Sequence, residues 1–175
     1  MTDEEWYPVQ RSATISADGL YRTDLTRVWS TDPERGMAAW VLCNPSKADG
    51  QVDDQSVRKG VGFTRRWGFS SMIWLNFWSF RSTDPWALLK ATDPIGPDND
   101  RAFRRVLPLA SRIIFAWGDV AAKLPIFKAR LPGVLRLCDT DGLYKGRVFC
   151  LGRTSSGNPR HPLMLPYSTK LEAFP

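Results

Sequence analysis

Four short apolar runs, each followed by a polar loop, constrain the fold of this chain more than any other feature. They are Met37–Leu42, Met72–Phe77, Ile113–Trp117 and Val148–Leu151. Runs of this length suit strands buried on both faces. The stretches between them carry helix-start chemistry. Asp53-Asp54-Gln55-Ser56 places acids where a helix dipole is positive, and Val57, Val61, Thr64 and Trp67 follow at helical spacing until Gly68. Thr83-Asp84-Pro85 opens a short helix over 86–90. Asp98-Asn99-Asp100 opens a longer one, with Phe103, Val106, Leu107 and Ala110 on one side. A further helix is expected over roughly 119–131, shortened or kinked by Pro125. Apolar runs alternating with helices predict a mostly parallel sheet covered on both faces. The expected fold is a three-layer α/β/α sandwich around a mostly parallel four-stranded sheet. The alternating stretch 20–29 adds an N-terminal strand, expected to pair antiparallel with Met37–Leu42. The 175 residues show no repeat, low-complexity tract or linker. One domain over 1–175 with short terminal extensions is expected.

In such folds, functional loops gather at the C-terminal ends of the strands. The first loop is Asn44-Pro45-Ser46, running on to Asp53, Asp54 and Arg58. Asn44 has one donor and one acceptor with which to hold a water or a ligand amide; Asn-Pro is equally a turn former. Asp53 and Asp54 can act as a base or stabilise positive charge, or simply cap the helix; Arg58 stands one turn on, placed to pair with Asp54. The second loop runs from Asn76 to Arg81. Asn76 is placed to read a base edge or to end its strand, and Arg81 to bind phosphate or cap the next helix. Asn99 is a helix-start residue first and a ligand contact second. The third loop is Trp117-Gly118. The fourth holds Arg160 and His161, the only histidine in the chain. An imidazole there can donate to a developing anion or move a proton at neutral pH; a lone histidine is more often structural.

The formal net charge of +6 and the clustered arginines permit attraction to phosphates, and equally describe a solvated basic face. The eight tryptophans are expected mostly in the core, with one or two free to stack on bases. Cys43, Cys138 and Cys150 form no C-x-x-C pair, and with a single histidine they give no metal site; no cofactor is implied. No apolar run reaches membrane-spanning length, and Met1–Trp6 is acidic, so a cytoplasmic protein is expected. Walker A, G-x-G-x-x-G, G-x-S-x-G and H-E-x-x-H motifs are all missing, which leaves triphosphate hydrolysis, Rossmann redox chemistry, serine hydrolysis and zinc proteolysis without support.

Six stretches together resemble a bacterial and phage family known as domain of unknown function family 1643. They are Asn44–Asp49, Asp53–Arg58, Asn76 with Arg81–Pro85, Pro94–Asp100, Ala116–Gly118 and Gly157–Leu163. That resemblance implies no activity. More distantly, Asn44-Pro45, Asn76, Trp117-Gly118 and His161-Pro162 follow the order of motifs in the uracil-DNA glycosylase superfamily. Leu42 stands where many of its members have glycine, and Leu163 where serine commonly follows His-Pro. This second resemblance implies an N-glycosidic hydrolase acting on a nucleobase in DNA or a nucleotide. Asn44, with Asp54, would position water, and His161 would stabilise the departing base. Asn76 would read the base, and Ser46, Arg81 and Arg160 would hold phosphate. The alternatives are a non-catalytic nucleotide or nucleic-acid binding module, and another small-molecule hydrolase or transferase. Oligomeric state is not legible.

Overall fold

The computed structural model describes residues 10–139 and 142–174; the acidic stretch Met1–Trp6 lies outside them. Seven strands form one sheet: β1 (Gln10–Ile15), β2 (Arg22–Val28), β3 (Met37–Leu42), β4 (Ser71–Asn76), β5 (Arg112–Phe115), β6 (Val148–Cys150) and β7 (Glu172–Ala173). Their order is β1-β2-β4-β3-β5-β6-β7. The four apolar runs are the parallel middle, β4-β3-β5-β6. Antiparallel strands extend both edges.

The sheet is therefore larger than the expected four strands plus one. The partner of β2 also differs from expectation. Leu25 to Val28 pair antiparallel with β4, Leu25 opposite Trp74, whereas β3 has β4 and β5 on its two sides. The reason lies in composition. β3 is apolar on both faces and takes the centre, while β2 carries Arg22, Asp24 and Arg27 and stays outside the parallel strands.

Four helices pack on the sheet: α1 (Gln55–Arg66), α2 (Asn99–Val106), α3 (Gly118–Lys123) and α4 (Phe127–Cys138). The single helix expected over 119–131 is two. Leu124, held in extended backbone by the following Pro125, separates them. Strand alternation sends Ala39, Val41, Leu75, Ile113 and Phe115 to one face, against Phe103, Val106, Phe127 and Val134 of α2 and α4. It sends Ala38, Trp40, Met72, Trp74 and Ile114 to the other, against Val57, Val61 and Phe63 of α1 and Leu165. That second face is one helix plus coil rather than a full helical layer. The coil is fixed by Tyr167, whose ring lies 4.1 Å from the Lys59 Nζ and 3.9 Å from the Arg66 guanidinium carbon.

The chain leaves β3 through α1 to β4 on one side. It returns through α2 to β5 on the other side of β3. With α1 and α2 on opposite faces, the connections diverge between β3 and β5. Open α/β sheets form their ligand crevices outside the carboxyl ends of strands at such a point.

Candidate functional site

A cavity of about 590 Å³ opens there, within the usual range for ligand clefts. Its walls include Leu42, Cys43, Asn44 and Ser46 after β3, Asp54 at the start of α1, Asn76 at the end of β4, Trp117 and Gly118 after β5, and His161.

The carboxamide of Asn44 is oriented by its surroundings. Its Nδ2 donates to the carbonyls of Pro45 (3.1 Å) and Ser82 (2.8 Å), which leaves Oδ1 as an acceptor. Pro45 serves this geometry through its carbonyl, which also receives the Ser82 N–H. Asp54 is the N-cap of α1: one oxygen accepts from the Val57 N–H at 2.9 Å. It faces the cavity as well, so capping and site placement coincide in one residue.

His161 begins a short 3-10 turn over Pro162–Met164, and its Nδ1 accepts from the Leu163 N–H at 3.3 Å. That bond assigns the ring proton to Nε2. Burial holds the imidazole pKa below its ordinary value of 6.5, against an opposing pull from Asp54. The ring is therefore neutral at neutral pH and offers one N–H. Gly118 makes this approach possible. Its φ is +69°, and a Cβ there would stand 3.1 Å from the His161 Cβ. The Gly118 N–H donates to Pro159 at 2.9 Å. Asp119 accepts from Asn158 and Thr154, both at 2.7 Å, and these bonds hold its carboxyl below the usual range. The third loop and the start of α3 are thus joined to the fourth loop just ahead of the histidine.

Arg22, which the sequence does not single out, also lines the cavity. It is 2% exposed. Nη1 donates to the Ala48 carbonyl (2.8 Å) and Nη2 to Asn76 Oδ1 (3.2 Å), while Nε has no partner. Burial lowers its pKa to about 10 even with Asp54 nearby, so it remains a cation at neutral pH. The indole N–H groups of Trp74 and Trp117, two further wall residues, are likewise buried without a partner. Burial pushes the Cys43 thiol up to about 12, so it is no nucleophile at neutral pH.

Other residues expected at the site lie elsewhere. Asp53 accepts from the buried Arg27 (2.8 Å from Nε) rather than lining the cavity. Arg58 donates to the Asp53 carbonyl at 3.1 Å, not to the Asp54 carboxylate, and is exposed. Arg81 donates to the Gly19 carbonyl at 3.1 Å. Asn99 is fully buried between the Asn76 carbonyl (3.0 Å) and Arg130 (2.7 Å) and acts as a bolt behind Asn76. Arg160 is exposed beside the cavity residue His161 and does not line the cavity itself. Among the described residues, no group of three or more His, Cys, Asp or Glu side chains is arranged to hold a metal ion. No helix among them is long and apolar enough to cross a membrane.

Fold and cleft together define an α/β protein with a cavity at the switch point of a mixed sheet whose centre is parallel. The chain belongs to the family described as protein of unknown function DUF1643, which matches residues 22–163. No curated protein and no solved structure matches the chain.

The neutral, half-buried state of His161 gives a test of this geometry. Its folded pKa lies below the unfolded value, so the unfolded chain takes up the proton first as pH falls. The associated stability is present above pH 6.5 and is lost as pH drops through the folded value. His161→Asn keeps an acceptor for the Leu163 N–H but does not titrate. Between pH 7.5 and 5.5 the wild-type Tm is expected to fall more steeply than that of the variant. Parallel slopes would mean that the ring is not held neutral.

Proposed function

We propose that the protein is an N-glycosidic hydrolase that takes a nucleobase, from DNA or a nucleotide, into the switch-point cavity. The observation that supports this reading best is the convergence of Asn44, Asp54 and neutral His161 on one cavity. The order of the motifs, which resembles that of the uracil-DNA glycosylase superfamily, points the same way. Extrusion of a base into a pocket is the usual solution when chemistry must reach its sugar bond.

The roles follow from the free groups. Asn44 Oδ1 and the second oxygen of Asp54 accept hydrogen bonds from a water below the sugar C1′. The water oxygen bonds to C1′ as the C1′–N bond breaks, and the bonding pair leaves on the base. The His161 Nε2–H stabilises that charge at a base oxygen, while Asp54 takes the water's proton and balances the positive charge growing on the sugar. Solvent then protonates the base. Ser46, at the cavity wall, is placed to hold phosphate; Arg81 and Arg160 are not wall residues. The remaining basic surface serves sequence-independent attraction to phosphates.

The test is mass-spectrometric detection of released base after incubation with DNA and nucleotides carrying normal and modified bases. Release at turnover supports the reading. Tight binding without release would make the protein a nucleotide or nucleic-acid binding module instead.

A further inference from the structure

One hydrogen bond fixes the polarity of the wall formed by Arg22 and Asn76. A guanidinium has donors and no acceptor. Nη2 of Arg22 meets the Asn76 side chain at 3.2 Å, and Nη1 is held 2.8 Å from the Ala48 carbonyl. A flipped carboxamide would set its NH₂ against the guanidinium, two buried donors with no acceptor between them. The amide is therefore locked with Oδ1 toward Arg22. The backbone of Asn76 is fixed from behind by Asn99, whose Nδ2 donates to its carbonyl at 3.0 Å. Asn76 itself is 1% exposed.

A free asparagine offers a ligand either a donor or an acceptor. This one keeps only Nδ2 for a ligand, and polarisation of the amide by the adjacent cation strengthens that N–H as a donor. Another wall residue has the same sense. His161 presents Nε2–H to the same cavity. A ligand group that meets this wall must accept hydrogen bonds.

We infer that Arg22 is a positioning residue that holds Asn76 as an obligate donor, and that the cavity in consequence takes heterocycles bearing a ring carbonyl and rejects counterparts bearing an exocyclic amino group there. The inference rests on the nucleobase reading above. An amino group would face a donor with no means of turning it, which leaves both groups unpaired in a buried site.

The experiment compares binding of two base pairs that differ in this group, uracil against cytosine and hypoxanthine against adenine, by calorimetry on the whole chain. Wild type is expected to prefer each oxo base by about tenfold or more. Arg22→Met frees the amide to turn, and the preference is expected to shrink to within about threefold, since a re-paired amide removes the mismatch. Arg22→Lys restores a donor beside Oδ1 and is expected to restore the preference. A purely structural arginine would change affinity for both members of a pair alike. Equal binding of both members by wild type, or an undiminished preference in a folded Arg22→Met protein, overturns the inference and leaves the nucleobase reading standing. No binding of any base, with no release from DNA or nucleotides, overturns both.

Discussion

His161→Ala is expected to lower the rate of base release by about 10²- to 10³-fold, the usual cost of removing one donor to a developing anion. The argument begins with the tautomer. Nδ1 accepts from the Leu163 N–H, so the proton sits on Nε2, and burial keeps the ring from taking a second one. A neutral imidazole donates to an anion without first giving up a charge to solvent. Alanine removes this donor and also the acceptor that starts the turn over Pro162–Met164. His161→Asn separates the two effects, because its oxygen caps the turn while its shorter side chain withdraws the donor. Both variants are expected to lose release, and His161→Asn to retain the wild-type Tm at neutral pH. Asn44→Ala is expected to lose a similar factor by removing the acceptor for water. Release is also expected to weaken as pH falls through the pKa of the folded ring, which lies below 6.5, because protonation of Nδ1 removes the acceptor for the Leu163 N–H. Full release by a folded His161→Asn protein would show that the ring is not the donor.

The parallel centre of the sheet was legible because its strands are buried on both faces and read as continuous apolar runs. Met37–Leu42 is β3 residue for residue, and Asp54 was recognisable as a helix start because a cap is a local event. The edges were not legible. β1 alternates exposed and half-buried residues, and β7 spans two residues, so neither leaves an apolar signature. The same limit hid Arg22. It stands first in β2, where a charged residue reads as solvent-facing. Its burial depends on β2 lying beside β4, a long-range pairing that local pattern does not encode. The place of Asn44, Asn76, Trp117 and His161 at the cavity was legible because each ends a strand, stands two residues past one or sits in the last such loop. Arg81 and Arg160 have the charge expected of ligand contacts, but charge alone does not distinguish a side chain facing the cavity from one bonded to Gly19 or facing solvent. Asp53 and Asp54 are the sharpest case. The sequence presents two adjacent acids with equal claims, and only tertiary packing separates them.

That separation has a large expected effect. Asp53→Ala is expected to destabilise the fold by about 3 kcal/mol, the low end for breaking a buried ion pair, because it leaves an uncompensated cation behind. Arg27 is fully buried, with Nε 2.8 Å and Nη2 2.6 Å from Asp53 Oδ1. The same guanidinium donates to the carbonyls of Thr26 (2.8 Å) and Asp49 (2.6 Å), and so ties the loop before α1 to β2. Those carbonyl bonds survive the substitution, which is why the cost sits at the low end of the range. For a chain of this size the change lowers Tm by on the order of 10 °C, read by thermal unfolding. Asp54→Asn should do the opposite. Asparagine caps a helix as well as aspartate does, so Tm should hold to within a few degrees. The negative charge between Arg22 and His161 is lost, and base release is expected to fall by about 10²-fold, in the range of a lost general base. Adjacent acids would then divide the work, one holding the loop in place and the other facing the reaction. An Asp53→Ala protein that melts with the wild type would remove the structural half of that division, and an Asp54→Asn protein with full release would remove the chemical half.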